Sequence, residues 1–283
     1  MIAPKIYFQG EPGAFSEAAV LNHWPAAEPV GLPSFAAVFK RLVEDPEVVG
    51  LLPIENAYAG TVHDVFDLLI AHPELSVWAE VVQSVDLALL AVPGMAMSEV
   101  RRVRSHPQAL MQSRGYWQSR GWQMEVGSDT AGSARELIQH RWPGVAAIAG
   151  PHVAEEYGLV ILENGIQDHP DNRTRFWMIS GRRPSRLAVG LTATRAKTSI
   201  VFDTANTPGS LVRALLPFSA AEINLTKIES RPRPHHPFAF RFWIDCEGEL
   251  DSPDVISRVI PQIRTTTEWH RILGRYPLLQ RRV

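Results

Sequence analysis

The stretch Lys5-Ile6-Tyr7-Phe8-Gln9-Gly10-Glu11-Pro12-Gly13-Ala14-Phe15-Ser16 reads as a strand, a Gly/Pro turn and the opening of a helix over residues 16–23. Apolar and aromatic residues favour the strand, and Gly10, Pro12 and Gly13 end it. The same unit recurs downstream. Residues 48–53 read as a strand, followed by a helix over 62–71 with Val62, Val65, Phe66 and Leu69 at helical spacing. Residues 104–115, 129–141 and 151–157 read as helices, and 145–149 and 176–180 as strands. The long apolar run 77–92, with Ser84 in its middle, reads as strands crossing between two lobes. Alternation of this kind argues an α/β fold with largely parallel sheets.

Composition agrees. The chain has 283 residues, 45% hydrophobic and 20% charged, which excludes disordered and collagen-like classes. That length suggests two domains. A formal net charge of −2 gives no electrostatic reason to expect nucleic acid or an anionic membrane as partner. The single cysteine, Cys246, forbids an intrachain disulfide. The start, Met1-Ile2-Ala3-Pro4-Lys5, lacks the pattern of a signal peptide, so a cytoplasmic protein is expected. The longest greasy stretch, 87–97, is cut by Pro93-Gly94 and is too short to span a bilayer.

The polar, basic run 180–186 reads as a linker. It separates a domain over 1–182 from a smaller one over 197–283. In the latter, 197–203, 223–230, 238–245 and 270–276 read as strands. One helix starts near Pro208, and another covers 252–263 with Ser252 as cap. The order βαββαβ is ferredoxin-like.

Several polar runs carry candidate chemistry. Gly10–Ser16 follows a strand and opens a helix, where N–H groups and the Ser16 hydroxyl suit a carboxylate. Glu55 and Asn56 sit at the carboxyl end of a strand, where ligands gather in open α/β sheets, although such a pair alone also reads as a turn. Ser105-His106-Pro107-Gln108 opens a helix on which Gln108 and Gln112 share a face. Asp129-Thr130 begins another as a cap. The densest cluster is Gln167-Asp168-His169-Pro170-Asp171-Asn172-Arg173-Thr174-Arg175-Phe176. If it is extended, Thr174 and Phe176 share one side and Arg175 takes the other. Asn172-Arg173-Thr174 and Asn224-Leu225-Thr226 match the glycosylation sequon and are read as accidental. His235-His236 with Cys246 lacks further ligands, so no metal is expected.

Together, in this order, these runs resemble the prephenate dehydratase family over essentially the whole chain. The matching runs are 10–16, 53–62, 105–112, 129–134 and 146–176, the last ending in Thr174-Arg175-Phe176. The smaller unit is similar to an ACT regulatory domain through 208–211, 223–232 and 273–277. The family usually has Ser where Ala57 sits, Cys for Ser113, Ala for Ser210 and Ser for Arg275.

The resemblance implies a two-lobed, periplasmic-binding-protein-like catalytic domain, with its site in the cleft, followed by the ACT domain. It implies decarboxylative dehydration of prephenate to phenylpyruvate in phenylalanine biosynthesis. Aromatisation drives that reaction, so no cofactor is expected. Thr174 would be the central catalytic residue. Glu55 would be a proton source if burial raises its pKa. Asn56, Ser105 and Gln112 would orient substrate, Ser16 and Arg175 would hold its carboxylates, and Phe176 would wall the ring. L-Phenylalanine would bind around Gly209, Ser210, Leu211, Asn224 and Leu225, across paired ACT domains in a homodimer or homotetramer. Arogenate in place of prephenate, and a solute-binding or amino-acid-sensing role on the same fold, remain open from the sequence.

Overall fold

The computed structural model describes residues 3–127, 129–184, 191–233, 236–248 and 255–281. Ser252, His235 and part of the expected linker lie outside them. The first lobe contains β1 (Lys5–Gln9), α1 (Phe15–His23), β2 (Glu28–Leu32), α2 (Phe35–Glu44), β3 (Val49–Asn56), β4 (Gly60–Thr61), α3 (His63–Ala71) and β5 (Ser76–Ser84). The chain then enters a second lobe of β6 (Ala88–Ala91), β7 (Arg102–Ser105), α4 (Pro107–Gln112), α5 (Arg114–Ser119), β8 (Gln123–Val126), α6 (Thr130–His140), β9 (Val145–Ala149), α7 (His152–Tyr157) and β10 (Val160–Asn164). It returns to the first lobe as β11 (Arg173–Ser180). The C-terminal unit is β12 (Leu191–Asp203), α8 (Ser210–Ala220), β13 (Leu225–Pro232), β14 (Phe240–Gly248), a π turn over Val255–Val259, α9 (Ile260–Thr266) and β15 (Trp269–Arg281).

The first-lobe strands run in the order β5-β11-β3-β1-β2, and those of the second lobe in the order β10-β6-β9-β7-β8. Both sheets are mixed rather than largely parallel. β1 pairs parallel with β2 and β3, and β7 with β8 and β9. β11, however, runs antiparallel between β3 and β5, and β6 antiparallel between β9 and β10. Strands next to the crossings reverse direction because the chain leaves and re-enters each lobe there.

The expected helix over 104–115 is in fact β7 followed by α4 and α5. His106 caps α4 by accepting from the Gln108 N–H, and Pro107 fills the first helical position. In the C-terminal unit the order β13-β14-β12-β15, with βαββαβ connectivity, is the ferredoxin-like arrangement.

The C-terminal unit packs directly against the first lobe. One core cluster joins Phe66, Leu69 and Trp177 of the first lobe to Val201, Trp243, Leu273 and Tyr276. The Phe66 ring lies 5.2 Å from Trp177 and 4.7 Å from Trp243, centre to centre. β15 also lies against β5, where Leu278 pairs with Glu80. A Cβ at Gly274 would fall 2.1 Å from the Val77 carbonyl oxygen, so only glycine allows that approach. Arg271 donates to the carbonyls of Leu69 and Leu75 at 2.6 Å, and to those of His72 and Pro73, closing the C-terminal end of α3. No helix among the described residues is long and apolar enough to cross a membrane.

Candidate active site

β3 and β11 place the chemistry. Their antiparallel register sets Thr174 opposite Asn56 and Arg175 opposite Glu55. The register then slips, with Phe176 opposite Pro53, so that Ile54 is the extra residue of β3. The bulge brings Pro53 and Asn56, three apart, to the same face, together with Thr174 and Phe176. That face floors a cavity of about 430 Å³ between the lobes. Ser16, Phe15 and Gln9 of the first lobe line it, as do His106, Gln108 and Gln112 on α4. Asp129 and Thr130 at the start of α6, and Val85 and Leu87 on the crossing segment, complete the wall.

Asn56 is the hub. It is 8% exposed, and its Oδ1 accepts from the backbone N–H groups of Tyr58 at 3.1 Å and Ala59 at 2.9 Å. Those two donors fix which side of the amide is oxygen. Nδ2 therefore donates to Thr174 Oγ1 at 3.0 Å and to Asn172 Oδ1 at 2.8 Å, and more distantly to the Arg173 carbonyl at 3.3 Å. Across the cleft, Gln112 Nε2 donates to Asn56 Oδ1 at 3.4 Å. Because Thr174 accepts from Asn56, its own hydroxyl proton is left for another acceptor. The floor can thus offer a neutral, positioned O–H to an oxygen in the cavity.

Among the described residues that line the cavity there is no Lys or Arg. The first turns of α1 and α6 open onto it, and their N–H groups carry partial positive charge, which Asp129 opposes at α6. The lining carboxylate, Asp129, caps α6 by accepting from Gly132 N at 2.5 Å. Glu17 takes the Gly13 N–H of the turn before α1, also at 2.5 Å. His152 holds the Gly13 carbonyl at 3.0 Å, with its pKa lowered by burial, and its ring meets Phe15 edge-on.

Three sequence expectations change. Glu55 does not face the cavity. It lies on the opposite face, where Arg175 Nη1 reaches it at 2.6 Å and Lys227 Nζ at 3.1 Å. Burial raises its pKa, but Lys227 and Arg175 outweigh burial and hold it below the ordinary range, so it is not a proton source. Arg175 likewise points away from the cavity. It joins Glu55, Glu80 and Asp245, each at 2.6 Å, and strand alternation leaves it no route to a substrate carboxylate. Ser105 is fully buried and donates to the Ile148 carbonyl at 2.5 Å, tying β7 to β9 outside the lining. Ser16, Asn56, Gln112, Thr174 and Phe176 do meet at the cavity. Gln9, Phe15, Phe35, Val85 and Leu87 were not singled out in the sequence. Gln9 had one available signal, its place at the carboxyl end of β1.

In the C-terminal unit, Gly209 takes a left-handed φ of 78° before α8. Ser210 is buried, its hydroxyl bonded to Thr207 at 2.6 Å and held by Arg213 at 3.0 Å. Leu211 and Leu225 pack against the core of this unit, while Asn224 is exposed. Cys246 is buried and donates to the Thr198 carbonyl. Among the described residues, no group of three or more His, Cys, Asp or Glu side chains is placed to hold a metal ion.

The family described as prephenate dehydratase matches residues 6–184. Arogenate dehydratase/prephenate dehydratase 2 of Arabidopsis thaliana, a chloroplastic protein, is 36% identical over 97% of this chain and 73% of its own length. Among solved structures, the prephenate dehydratase of Arthrobacter aurescens in complex with L-Phe superimposes with a TM-score of 0.84. It is 30% identical and covers 96% of this chain and 89% of that one. A protein described as GqqA, a novel type of quorum quenching acylase, also gives a TM-score of 0.84, at 32% identity over 97% and 98% of the two chains.

Proposed function

The chain belongs to the prephenate dehydratase family, and from that premise we propose that the interlobe cavity converts prephenate to phenylpyruvate. The observation that carries this reading is the Asn56–Thr174 hydrogen bond at the cavity floor, which leaves the threonine proton available. In the reaction the ring carboxylate leaves as CO2. Its bonding electrons move into the ring, and the C4 hydroxyl departs as hydroxide that takes up a proton to become water. Thr174 donates to that departing oxygen. Its hydroxyl is too weak an acid to be the final proton reservoir near neutral pH, so it relays or stabilises. The α1 and α6 termini, Ser16 and Gln112 hold the two carboxylates without a cation, and Phe176 and the apolar wall hold the ring.

Prephenate is favoured over arogenate by the state of Asp129. An ammonium group wants a carboxylate partner, and among the described lining residues the one carboxylate, Asp129, already accepts from the Gly132 N–H through Oδ1 in the α6 cap. An acylase would need a hydroxyl hydrogen-bonded to a base. His106 instead accepts from the Gln108 N–H and bonds to none of Ser16, Thr130 and Thr174.

The C-terminal unit is proposed to act as an ACT domain that binds L-phenylalanine between the start of α8 and Asn224, with two copies of the chain pairing through this unit. Exposed Val212 and Leu216 on α8 and the edge strand β13 support pairing. The deciding experiment follows aromatic product from prephenate and from arogenate side by side, in the presence of a chelator. Phenylpyruvate should form without added cofactor, and faster than phenylalanine forms from arogenate. Product from arogenate alone would reverse the substrate assignment, and inertness toward both would remove the reading. Calorimetry with L-phenylalanine on the full chain and on Asn224→Ala tests the effector site. Weaker binding with unchanged basal turnover is expected.

A further inference from the structure

Asn172 was passed over in the sequence as half of an accidental sequon, yet it is 2% exposed and bonded to the cavity floor. It lies on the segment that returns from the second lobe. Its backbone carbonyl accepts from Val85 N at 2.9 Å, which joins the two crossings at the hinge. Its side chain has one hydrogen bond, as acceptor from Asn56 Nδ2. Its own Nδ2 is buried and has no hydrogen-bond partner among the described residues.

Buried amide donors are seldom left unpaired, and each exception calls for a reason. Turning the Asn172 amide over would present its NH2 group to that of Asn56. Asn56 cannot turn in response, because Tyr58 and Ala59 hold its oxygen. The unpaired donor is therefore the consequence of keeping an acceptor aimed at Asn56. That acceptor takes one Asn56 proton at 2.8 Å, and the other goes to Thr174 Oγ1 at 3.0 Å, with the Arg173 carbonyl a longer partner at 3.3 Å.

We propose that Asn172 is a positioning residue for the dehydration step: by orienting the Asn56 amide it makes Thr174 an acceptor toward Asn56 and so a donor toward the departing oxygen. The inference rests on the prephenate reading, and it adds a residue outside the cavity lining that acts through two others. Without the Asn172 acceptor, Tyr58 and Ala59 still hold the Asn56 oxygen, but one Nδ2 proton loses its partner, the amide tilts toward the Arg173 carbonyl at 3.3 Å, and its aim at Thr174 Oγ1 weakens.

The test measures kcat and KM for prephenate on the full chain. Folding of each variant is checked by circular dichroism and melting temperature. Asn172→Ala should lower kcat on the order of 10- to 100-fold, the scale of a misplaced catalytic donor, with KM changed by less than about threefold. Asn172→Asp, which keeps an acceptor facing Asn56, should stay within about fivefold of wild-type kcat. In a double-mutant cycle, Asn172→Ala should add almost nothing to Thr174→Ala, because it acts through that hydroxyl. Should Asn172→Ala not fold, Asn172→Asp alone decides. Wild-type turnover in Asn172→Ala, full multiplication of the two losses, or a folded Asn172→Asp as slow as Thr174→Ala would each overturn the inference. If the wild-type chain does not turn over prephenate, the function has failed rather than this role.

Discussion

The two faces of the β3–β11 pair differ as much as any two regions of the molecule, although only one residue separates them along either strand. On the cavity face, Asn56 and Thr174 are neutral and joined by a 3.0 Å hydrogen bond. On the other face, Glu55 and Arg175 enter a charge cluster with Glu80, Asp245, Lys197 and Lys227. Among the described residues three cations meet four carboxylates there, Glu55 and Glu80 from the first lobe and Asp245 and Glu229 from the C-terminal unit. Burial opposes the Arg175 charge, but Glu80 and Asp245 outweigh it and keep the guanidinium protonated. Burial likewise raises the Glu80 pKa, and Arg175 and Lys197 more than reverse this. The neutral face can change its hydrogen bonds during a reaction at little cost. The charged face cannot lose a member without stranding a buried ion.

The largest effect expected is therefore on the charged face. Arg175→Met leaves Glu55, Glu80 and Asp245 facing one another and should cost about 3–5 kcal/mol of stability, the range for a broken buried ion pair. Urea unfolding measures it, and a variant as stable as wild type would dissolve the distinction between the faces.

On the cavity face, Asn56→Asp is expected to lower kcat by about 100-fold, as for a lost oriented donor. Stability should change by less than about 1.5 kcal/mol, the scale of one hydrogen bond. The carboxylate still accepts from Tyr58 and Ala59, and the Asn172 amide can turn to donate to it. Thr174 must then give its proton to that carboxylate instead of to the substrate. Comparable turnover to wild type would place the donor elsewhere.

Acid separates the faces next. Glu55 and Glu80 are both held below the ordinary glutamate value, so the unfolded chain binds more protons than the folded one as pH falls. Their contribution is complete above about pH 4.3 and is lost as pH drops through the lowered folded values. Unfolding free energies measured between neutral pH and that window should decline only at the acid end, and more steeply in wild type than in Glu80→Gln. The smallest effect belongs to an exposed contact between the same two units. Asp67, 63% exposed, pairs with Arg231 at 2.6 Å, and Asp67→Ala should cost under about 1 kcal/mol. A loss equal to that of Arg175→Met would show that docking depends on charge number rather than burial.

Much of this architecture is legible in residue order. β1, β9 and β11 stand out as apolar runs, and the turn at Gly10–Gly13 as Gly and Pro. β2 does not, because Pro29 and Gly31 interrupt it. It tolerates both because it is the sheet's edge strand. β7 is hidden by its length of four residues and by two outward arginines, Arg102 and Arg104. α2 passes unread although Ser34 caps it and Val38, Phe39 and Leu42 share its buried face.

In the site, Thr174, Asn56 and Gln112 follow from the run in which each sits. The fate of Glu55 and Arg175 does not, since Lys227 is 172 residues from Glu55 and Asp245 is 70 from Arg175. Strand alternation alone separates Arg175 from Thr174. The bulge at Ile54 that turns Pro53 and Asn56 to one face has one local signal, Pro53, since proline inside a central strand is confined to bulges.

The Thr174 hydroxyl is the centre of the proposed chemistry. The most direct measurement is kcat for phenylpyruvate formation from prephenate by wild type, Thr174→Ser and Thr174→Ala, each with a melting curve on the same preparation. Thr174→Ala is predicted to lose on the order of 100-fold or more in kcat while melting near wild type, and Thr174→Ser to retain measurable turnover. A folded Thr174→Ala enzyme that forms phenylpyruvate at the wild-type rate would contradict it.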